Sequence, residues 1–222
     1  MARSQLLERL ALRIAGFIHP HPLRVAIDGV DAAGKTTFAD ELTSYLAGLN
    51  RMIIRASVDG FHNPSVVRYR QGRLSPVGYY EDSFDYAALC TRLLIPLGPG
   101  GNREYKTAVF DYRTDNQLVN SHQVAAKNAI LLLDGIFLHR PELVGYWDYS
   151  IFLDVRFEIS IARAIQRNAE RVDSDNELRK QYHQRYIPGQ RLYLDAHHPA
   201  EKANMVIDNS DLANPTIVAA RL

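Results

Sequence analysis

Short apolar runs alternate along the chain with longer stretches in which apolar residues recur every three or four positions. The apolar runs, typical of buried strands, lie at 23–29, 51–58, 129–135, 149–155 and 204–209. The stretches with helical spacing lie at 4–18, 35–49, 84–95, 156–171 and 175–186. This alternation predicts an α/β fold in which helices cover both faces of a parallel sheet of about five strands. We expect a single domain over 1–222, with an N-terminal helix at 4–18 and a core at 22–210.

Two segments are expected as additions to this α/β core. The interval 98–128 is long and lacks helical spacing, so it is expected to be an insertion with its own strand or hairpin. A compact domain tolerates such an insertion most readily near a functional site. The second elaboration is a helical segment around 160–200, of which about 160–186 is expected to form a lid.

Composition excludes several classes of partner. The chain carries 26 basic and 25 acidic side chains, and this balance gives no reason to expect nucleic acid or an anionic membrane. No apolar run approaches the ~18 residues of a membrane span. The one cysteine, Cys90, cannot form an internal disulfide, which suits the reducing cytoplasm. We expect a soluble cytoplasmic protein, and a homo-oligomer stays open.

The most specific motif is "GVDAAGKTT", which fits the P-loop pattern G-x-x-x-x-G-K-[ST] between a predicted strand and a predicted helix. In this context backbone N–H groups curl around phosphate oxygens at the start of the helix. Lys35 is expected to reach the β- and γ-phosphates of ATP, and the Thr36 hydroxyl to ligate Mg²⁺. The residues predicted to bind ATP are Gly29, Val30, Asp31, Ala32, Ala33, Gly34, Lys35, Thr36 and Thr37.

The P-loop alone leaves kinases, ATP-driven machines and GTPase switches open. The N-K-x-D element of a guanine-specific switch is absent from the chain, and mechanical ATPases are usually larger. A small domain with one insertion favours a P-loop kinase that acts on a small-molecule alcohol.

Two carboxylates stand where predicted strands end. Asp59, in "ASVDGFHNP", is either a turn-former or a base that takes the proton of an acceptor hydroxyl. Asp134 ends "AILLLDG", where a carboxylate can meet Mg²⁺ directly or through water. Asp28, next to the P-loop, could reach the metal or hydrogen-bond to the loop.

Basic residues supply the other candidates. Arg163, Arg167 and Arg171 recur every four positions and so share one helix face. They form either a solvated stripe or, given the P-loop, a lid that stabilises charge on the transferring phosphoryl group. The stretch 66–80 interleaves arginine and tyrosine, a combination that suits a pocket for one small molecule.

The motifs in this order resemble the uridine kinase and phosphoribulokinase group of P-loop kinases, over roughly 22–210. The segments that carry the resemblance are "IDGVDAAGKTTFADEL", "SVDGFHNP", "FDYRTD", "LLLDGIFLHRPEL", "IFLDVRFEISIARAIQR" and "RYIPGQRLYL". The resemblance implies that Asp59 is the catalytic base, that Asp134 serves the metal or the acceptor, and that Arg163 and Arg167 are lid arginines which act with Lys35. The acceptor contacts that we expect are Phe61, His62, Tyr79, Tyr80, Phe110, Tyr112, Arg113 and Asp134.

The acceptor side departs from the uridine kinase pattern. Tyr79 stands where the group usually has the aspartate that holds the ribose, and Phe110 and Asp115 replace a tyrosine and the histidine that reads the pyrimidine. The resemblance suggests the 5′-hydroxyl of uridine or cytidine as acceptor. Pantothenate, glycerate, a sugar or a phosphosugar are alternatives, and so is a non-catalytic nucleotide-binding module.

Overall fold

The computed structural model describes residues 2–119, 121–168 and 175–221. Ten strands lie in these ranges: β1 (Leu23–Gly29), β2 (Ile53–Ser57), β3 (Glu104–Tyr105), β4 (Phe110–Asp111), β5 (Asn116–Gln117), β6 (Gln123–Val124), β7 (Ile130–Asp134), β8 (Tyr149–Asp154), β9 (Met205–Asp208) and β10 (Thr216–Ala220). The α-helices in the same ranges are α1 (Arg3–Ala15), α2 (Lys35–Ala47), α3 (Ser65–Arg68), α4 (Pro76–Asp82), α5 (Tyr86–Leu89), α6 (Phe157–Asn168), α7 (Asp175–Gln181), α8 (Ile187–His197) and α9 (Pro199–Lys202).

The described part of the central sheet has six strands in the order β10-β9-β8-β1-β7-β2, and the predicted α/β class is confirmed. Strands β2, β7, β1, β8 and β9 run parallel, and β10 pairs antiparallel with β9. The prediction of about five strands thus missed β10. This strand is an edge strand with mostly exposed side chains, so it lacks the apolar pattern of a buried strand.

Alternating side chains of the central strands pack into two separate hydrophobic cores, one on each face of the sheet. Val25 and Ile27 of β1 face the core beneath α1 and α2, whereas Ala26 faces the core on the opposite side. That second core contains apolar residues of α5, of the π-helical turn Cys90–Leu94 and of the insertion, including Tyr105. The buried strands are mostly apolar because both faces of the sheet are covered.

The insertion does contain the expected short hairpins: β3 pairs with β6, and β4 pairs with β5. It packs beside the end of β2, where a Cβ on Gly60 would lie 2.7 Å from the Cβ of Ala108. The helical segment around 160–200 consists of α6, α7, a π-helical turn at Tyr182–Tyr186 and α8. Arg171 lies outside the described residues. In the described ranges, no helix combines the length and the apolar character needed to cross a membrane.

Candidate active site

A cavity of 1030 Å³ opens at the carboxyl ends of β1, β7 and β2. The carboxyl edge of a parallel sheet is where α/β proteins bind their ligands. Its phosphate-loop wall is formed by Asp31, Ala32, Gly34, Lys35, Thr36 and Thr37. Gly29, Val30 and Ala33, which were also predicted to bind ATP, are buried residues of the same loop and do not line the cavity.

The phosphate-binding loop depends on its two glycines. At Gly29 a Cβ would approach the Leu153 carbonyl oxygen to 2.7 Å, so no side chain fits between the loop and β8. Gly34 has φ of 89° and precedes the first turn of α2, where no side chain caps the helix. The first N–H groups of α2 are therefore available to an anion, and the helix dipole favours negative charge there.

Lys35 lies within this loop. Its ammonium group donates a hydrogen bond of 2.7 Å to the Val30 carbonyl. Burial lowers the pKa of Lys35, and the carboxylates of Asp31, Asp28 and Asp134 oppose that effect. A cation buried among carboxylates and loop N–H groups is suited to binding phosphate oxygens.

Thr36 and Asp134 meet at the end of the loop. The Thr36 hydroxyl donates to Asp134 Oδ2 over 2.7 Å, so two oxygen ligands of the kind that Mg²⁺ prefers lie side by side. Arg55 of β2 donates to Asp134 Oδ1 over 2.9 Å and also contacts Asp40. The sequence analysis missed Arg55, although a cation within an otherwise apolar strand was a signal for it. Thr36 and Asp134 are suitable ligands for a magnesium ion, and Arg55 partly neutralises the charge of Asp134.

Asp59 follows β2 in a 3-10 turn, Val58–Phe61, that begins at the cavity. Its side chain is accessible from the cavity but protein surrounds it on the other sides. This partial desolvation raises the pKa of Asp59, and the neighbouring His62 and Lys35 oppose the rise. Nδ1 of His62 donates to the Asp59 carbonyl over 2.9 Å, since a carbonyl can only accept. Burial lowers the pKa of His62, which favours its neutral form.

A buried polar cluster supports the loop from behind. Asp28 is fully buried; its Oδ1 accepts the Gly29 N–H over 2.7 Å, and its Oδ2 accepts both His139 Nδ1 and the Tyr193 hydroxyl. Tyr193 Oη in turn accepts the backbone N–H of His139 over 2.9 Å. Of the two roles considered for Asp28, the structure supports the hydrogen bond to the loop. The sequence analysis gave no signal for His139 and Tyr193.

The helical segment around 160–200 contacts the phosphate loop at Asp31. The Tyr182 hydroxyl donates to the Asp31 carboxylate, and Gln190 Oε1 accepts the Asp31 N–H over 2.5 Å. Arg167 lines the cavity. Arg163 does not: its guanidinium donates to the carbonyls of residues 209 and 210, over 2.9 and 2.7 Å. The structure thus brings only Arg167 of the two predicted lid arginines to the cavity, and it places Arg163 on the loop after β9.

Of the residues predicted to contact the acceptor, some line the cavity and others do not. His62, Tyr79, Phe110, Tyr112, Arg113 and Asp134 line the cavity together with Asp59. Phe61 is instead fully buried in the second core, because its position in the 3-10 turn faces the sheet. Tyr80 points away and hydrogen-bonds to His197 over 2.5 Å. The expected contacts of Phe61 and Tyr80 with an acceptor are therefore corrected.

The parallel sheet, the phosphate loop and the carboxylates at the ends of β2 and β7 together define a P-loop fold of the kinase class. The model of the Phosphoribulokinase / Uridine kinase family matches residues 25–209. The chain belongs to that family, and the resemblance noted in the sequence is confirmed.

Curated relatives are distant. The chain is 26% identical over 205 residues to uridine-cytidine kinase A of Dictyostelium discoideum, covering 85% of this chain and 38% of that protein. It is 24% identical over 196 residues to the uridine kinase of Ligilactobacillus salivarius, covering 83% and 88%. It is also 24% identical over 180 residues to a pantothenate kinase of Rhodopseudomonas palustris, covering 75% and 56%.

Two solved structures share the fold. A possible uridine kinase from Bacillus stearothermophilus has a TM-score of 0.72 at 20% identity, covering 91% of this chain and 97% of that one. The D-glycerate 3-kinase of Cryptococcus neoformans has a TM-score of 0.62 at 11% identity, covering 98% and 99%. At these identities the likeness supports the fold alone.

Proposed function

We propose that the chain is an ATP- and Mg²⁺-dependent kinase that transfers the γ-phosphoryl group of ATP to a hydroxyl of a small molecule. The observation that carries the proposal is that Asp59 lines the same cavity as Lys35 and the phosphate loop. Family membership and the kinase names of the relatives support the reaction class.

Positioning and electrostatics would supply most of the catalysis, because phosphoryl transfer needs little covalent help from the protein. The loop N–H groups and Lys35 bind the phosphates of ATP. Asp59 orients the acceptor hydroxyl and takes its proton, while Arg167 stabilises charge on the transferring group. Thr36 and Asp134 would hold Mg²⁺, which would neutralise charge on the phosphates when bound.

The raised pKa of Asp59 is compatible with this role. Desolvation makes the carboxylate more basic than an exposed one, so it accepts a proton more readily. Lys35 and His62 oppose this rise in the pKa of Asp59. A general base must be within reach of the proton it takes and deprotonated at the working pH; the position of Asp59 on the cavity wall supports the first of these conditions.

The identity of the acceptor is a narrower proposal. Relatives named as uridine kinases favour a nucleoside, and the names pantothenate kinase and D-glycerate 3-kinase keep other alcohols open. The proposed substrate class is therefore a small-molecule alcohol.

The test is steady-state release of ADP from ATP and Mg²⁺ with a panel of nucleosides, sugars, sugar phosphates, pantothenate and glycerate. The Lys35→Ala variant, purified in the same way, measures contaminating kinases. We expect at least one acceptor to raise ADP release well above the Lys35→Ala level. If ATP binds but no acceptor does so, the kinase proposal fails and a non-catalytic nucleotide-binding module is the better account.

A further inference from the structure

Hydrogen bonds from α3 to Asp115 hold the turn between β4 and β5. Asp115 has φ of 55°, and its carboxylate accepts the Ser65 N–H over 2.9 Å, the Ser65 hydroxyl over 2.7 Å and the Arg68 guanidinium over 3.0 Å. Asp115 is therefore committed to the turn itself and is absent from the cavity wall. Its contacts fix the orientation of the residues that precede it.

Arg113 is the cation that this turn presents to the cavity. Its backbone N–H donates to Asp111 Oδ1 over 2.9 Å, and its guanidinium lies 5.8 Å from the centre of the Tyr112 ring. Over the described residues, no carboxylate lies within ion-pair distance of that guanidinium. Its donors can therefore bind a ligand in the cavity.

The carboxylates near Arg113 are otherwise engaged. Asp111 accepts the Arg113 N–H with one oxygen and the Thr114 hydroxyl, over 3.0 Å, with the other. Asp59 is the proposed base. The pKa of Arg113 is raised, first by a hydrogen bond with Tyr112 and then by the weaker fields of Asp111 and Asp59. Arg113 and Asp59 both line the cavity, so one bound acceptor can face both of them.

A second cation lies behind the cavity wall. Arg185 is 5% exposed, and its guanidinium donates to backbone carbonyls, the shortest of these bonds being 2.8 Å to Arg73. It stacks on Tyr79, a residue of the wall, with 5.4 Å to the ring centre. In the described part of the chain, Arg185 has no carboxylate partner either. A buried, uncompensated charge adds positive potential on the acceptor side of the cavity.

From these contacts we infer that the acceptor carries an anionic group, a carboxylate or a phosphate, which the guanidinium of Arg113 binds while Asp59 faces the hydroxyl. A planar guanidinium offers paired donors that match the oxygens of either anion. The inference rests on the proposed function and narrows its substrate class. A neutral nucleoside would leave the donors of Arg113 without the partner they match.

The experiment compares acceptors that differ in the presence of one anionic group. Matched pairs are glycerate with glycerol, pantothenate with panthenol, and ribose 5-phosphate with ribose. We expect kcat/KM to be at least about 100-fold higher for the anionic member of the productive pair. Activity with the carboxylates alone or with the phosphate alone identifies which anion the cavity takes.

Variants then assign the effect to Arg113. Arg113→Gln should lower kcat/KM for the anionic acceptor by about 10- to 100-fold and leave KM for ATP unchanged, because a hydrogen bond to a charged group is lost. Arg113→Lys should recover part of the loss. Arg92→Gln is the matched control, since Arg92 is exposed and lies off the cavity wall.

The outcomes separate the two proposals. Faster turnover of neutral acceptors, or an Arg113→Gln enzyme as active as Arg92→Gln with the anionic acceptor, overturns the inference and leaves the kinase proposal standing. No turnover above the Lys35→Ala level with any acceptor overturns the kinase proposal, and the inference fails with it.

Discussion

Replacing Tyr193 by phenylalanine tests whether the buried cluster behind the phosphate loop holds the fold together. The substitution removes one hydroxyl, which donates to Asp28 and accepts the His139 N–H. The ring is 3% exposed, so water cannot replace these bonds without a rearrangement of the core. The backbone N–H of His139 loses its partner, and Asp28 keeps the two bonds from Gly29 and from His139 Nδ1.

The expected decrease in the free energy of unfolding follows from the loss of these two hydrogen bonds. An orphaned buried donor costs about 1–3 kcal/mol, and a lost hydrogen bond to a charged group adds a similar amount. Since Asp28 is still bound by two donors, we expect the free energy of unfolding to fall by about 2–4 kcal/mol. For a chain of this size that corresponds to a decrease in Tm of roughly 4–16 °C.

Tyr149→Phe is the matched control. Tyr149 is also buried, at 2% exposure, but over the described residues its hydroxyl has no hydrogen-bond partner. Its removal should therefore leave the free energy of unfolding within about 0.5 kcal/mol of the original value, or raise it. The same atom is deleted from the same residue type in both variants, so their difference isolates the hydrogen bonds.

Urea denaturation is the assay, followed by far-UV circular dichroism and by the fluorescence of Trp147, the single tryptophan. Trp147 donates its indole N–H to the Leu138 carbonyl over 2.7 Å, next to His139 in the chain, so its emission reports on this region. Equal stability of the Tyr193→Phe and Tyr149→Phe proteins would refute the reasoning.

Four further predictions concern the proposed reaction. Asp59→Asn should lower turnover by about 10²-fold or more while ATP affinity, measured by calorimetry, changes only a few-fold. Because desolvation raises the pKa of Asp59, kcat/KM should rise with pH through a midpoint above 3.8, the ordinary pKa of an aspartate, and a midpoint at or below that value would contradict this. Thr36→Val should raise the Mg²⁺ concentration needed for half-maximal activity at least about tenfold, whereas an unchanged titration curve would remove Thr36 from the metal site. Arg167→Gln should lower kcat by about 10²-fold, and Arg163→Gln should mainly raise KM for ATP; the reverse pattern would restore Arg163 as the lid arginine.

The parts of the fold that the sequence predicted are those with strong local signals. Strands β1, β7 and β8 are mostly apolar, since both faces of the sheet are covered, and their observed bounds differ from the predicted ones by at most one residue. The loop from Gly29 to Thr37 was recognisable because its residue types are dictated by close backbone approach. Strand β10 escaped because an exposed edge strand needs no apolar periodicity.

The parts of the site that escaped prediction depend on contacts between distant segments. Spacing puts Arg163 and Arg167 on one face of α6, but the pairing of β8 with β9 brings the carbonyls of residues 209 and 210 to Arg163. Asp115 was compared with a base-reading position, yet it binds Ser65, fifty positions earlier. Periodicity within one element carries no information about such partners.

The division of the interior into two cores bears on how this fold acquires new substrates. Helix α1, which precedes the phosphate loop, and helix α2, which follows it, pack on one core. Apolar residues around the proposed acceptor side, such as Phe84 and Tyr105, pack on the other. Among the described residues, the two cores share the strands between them and Leu194 of α8, which packs against both. Substitutions in the wall proposed to bind the acceptor should therefore have little effect on the packing beneath the phosphate loop, so a change of acceptor need not begin with a loss of the proposed ATP site. For protein engineering, this makes the hairpin β4–β5 and helices α3 and α4 the region to randomise, with the opposite core left untouched.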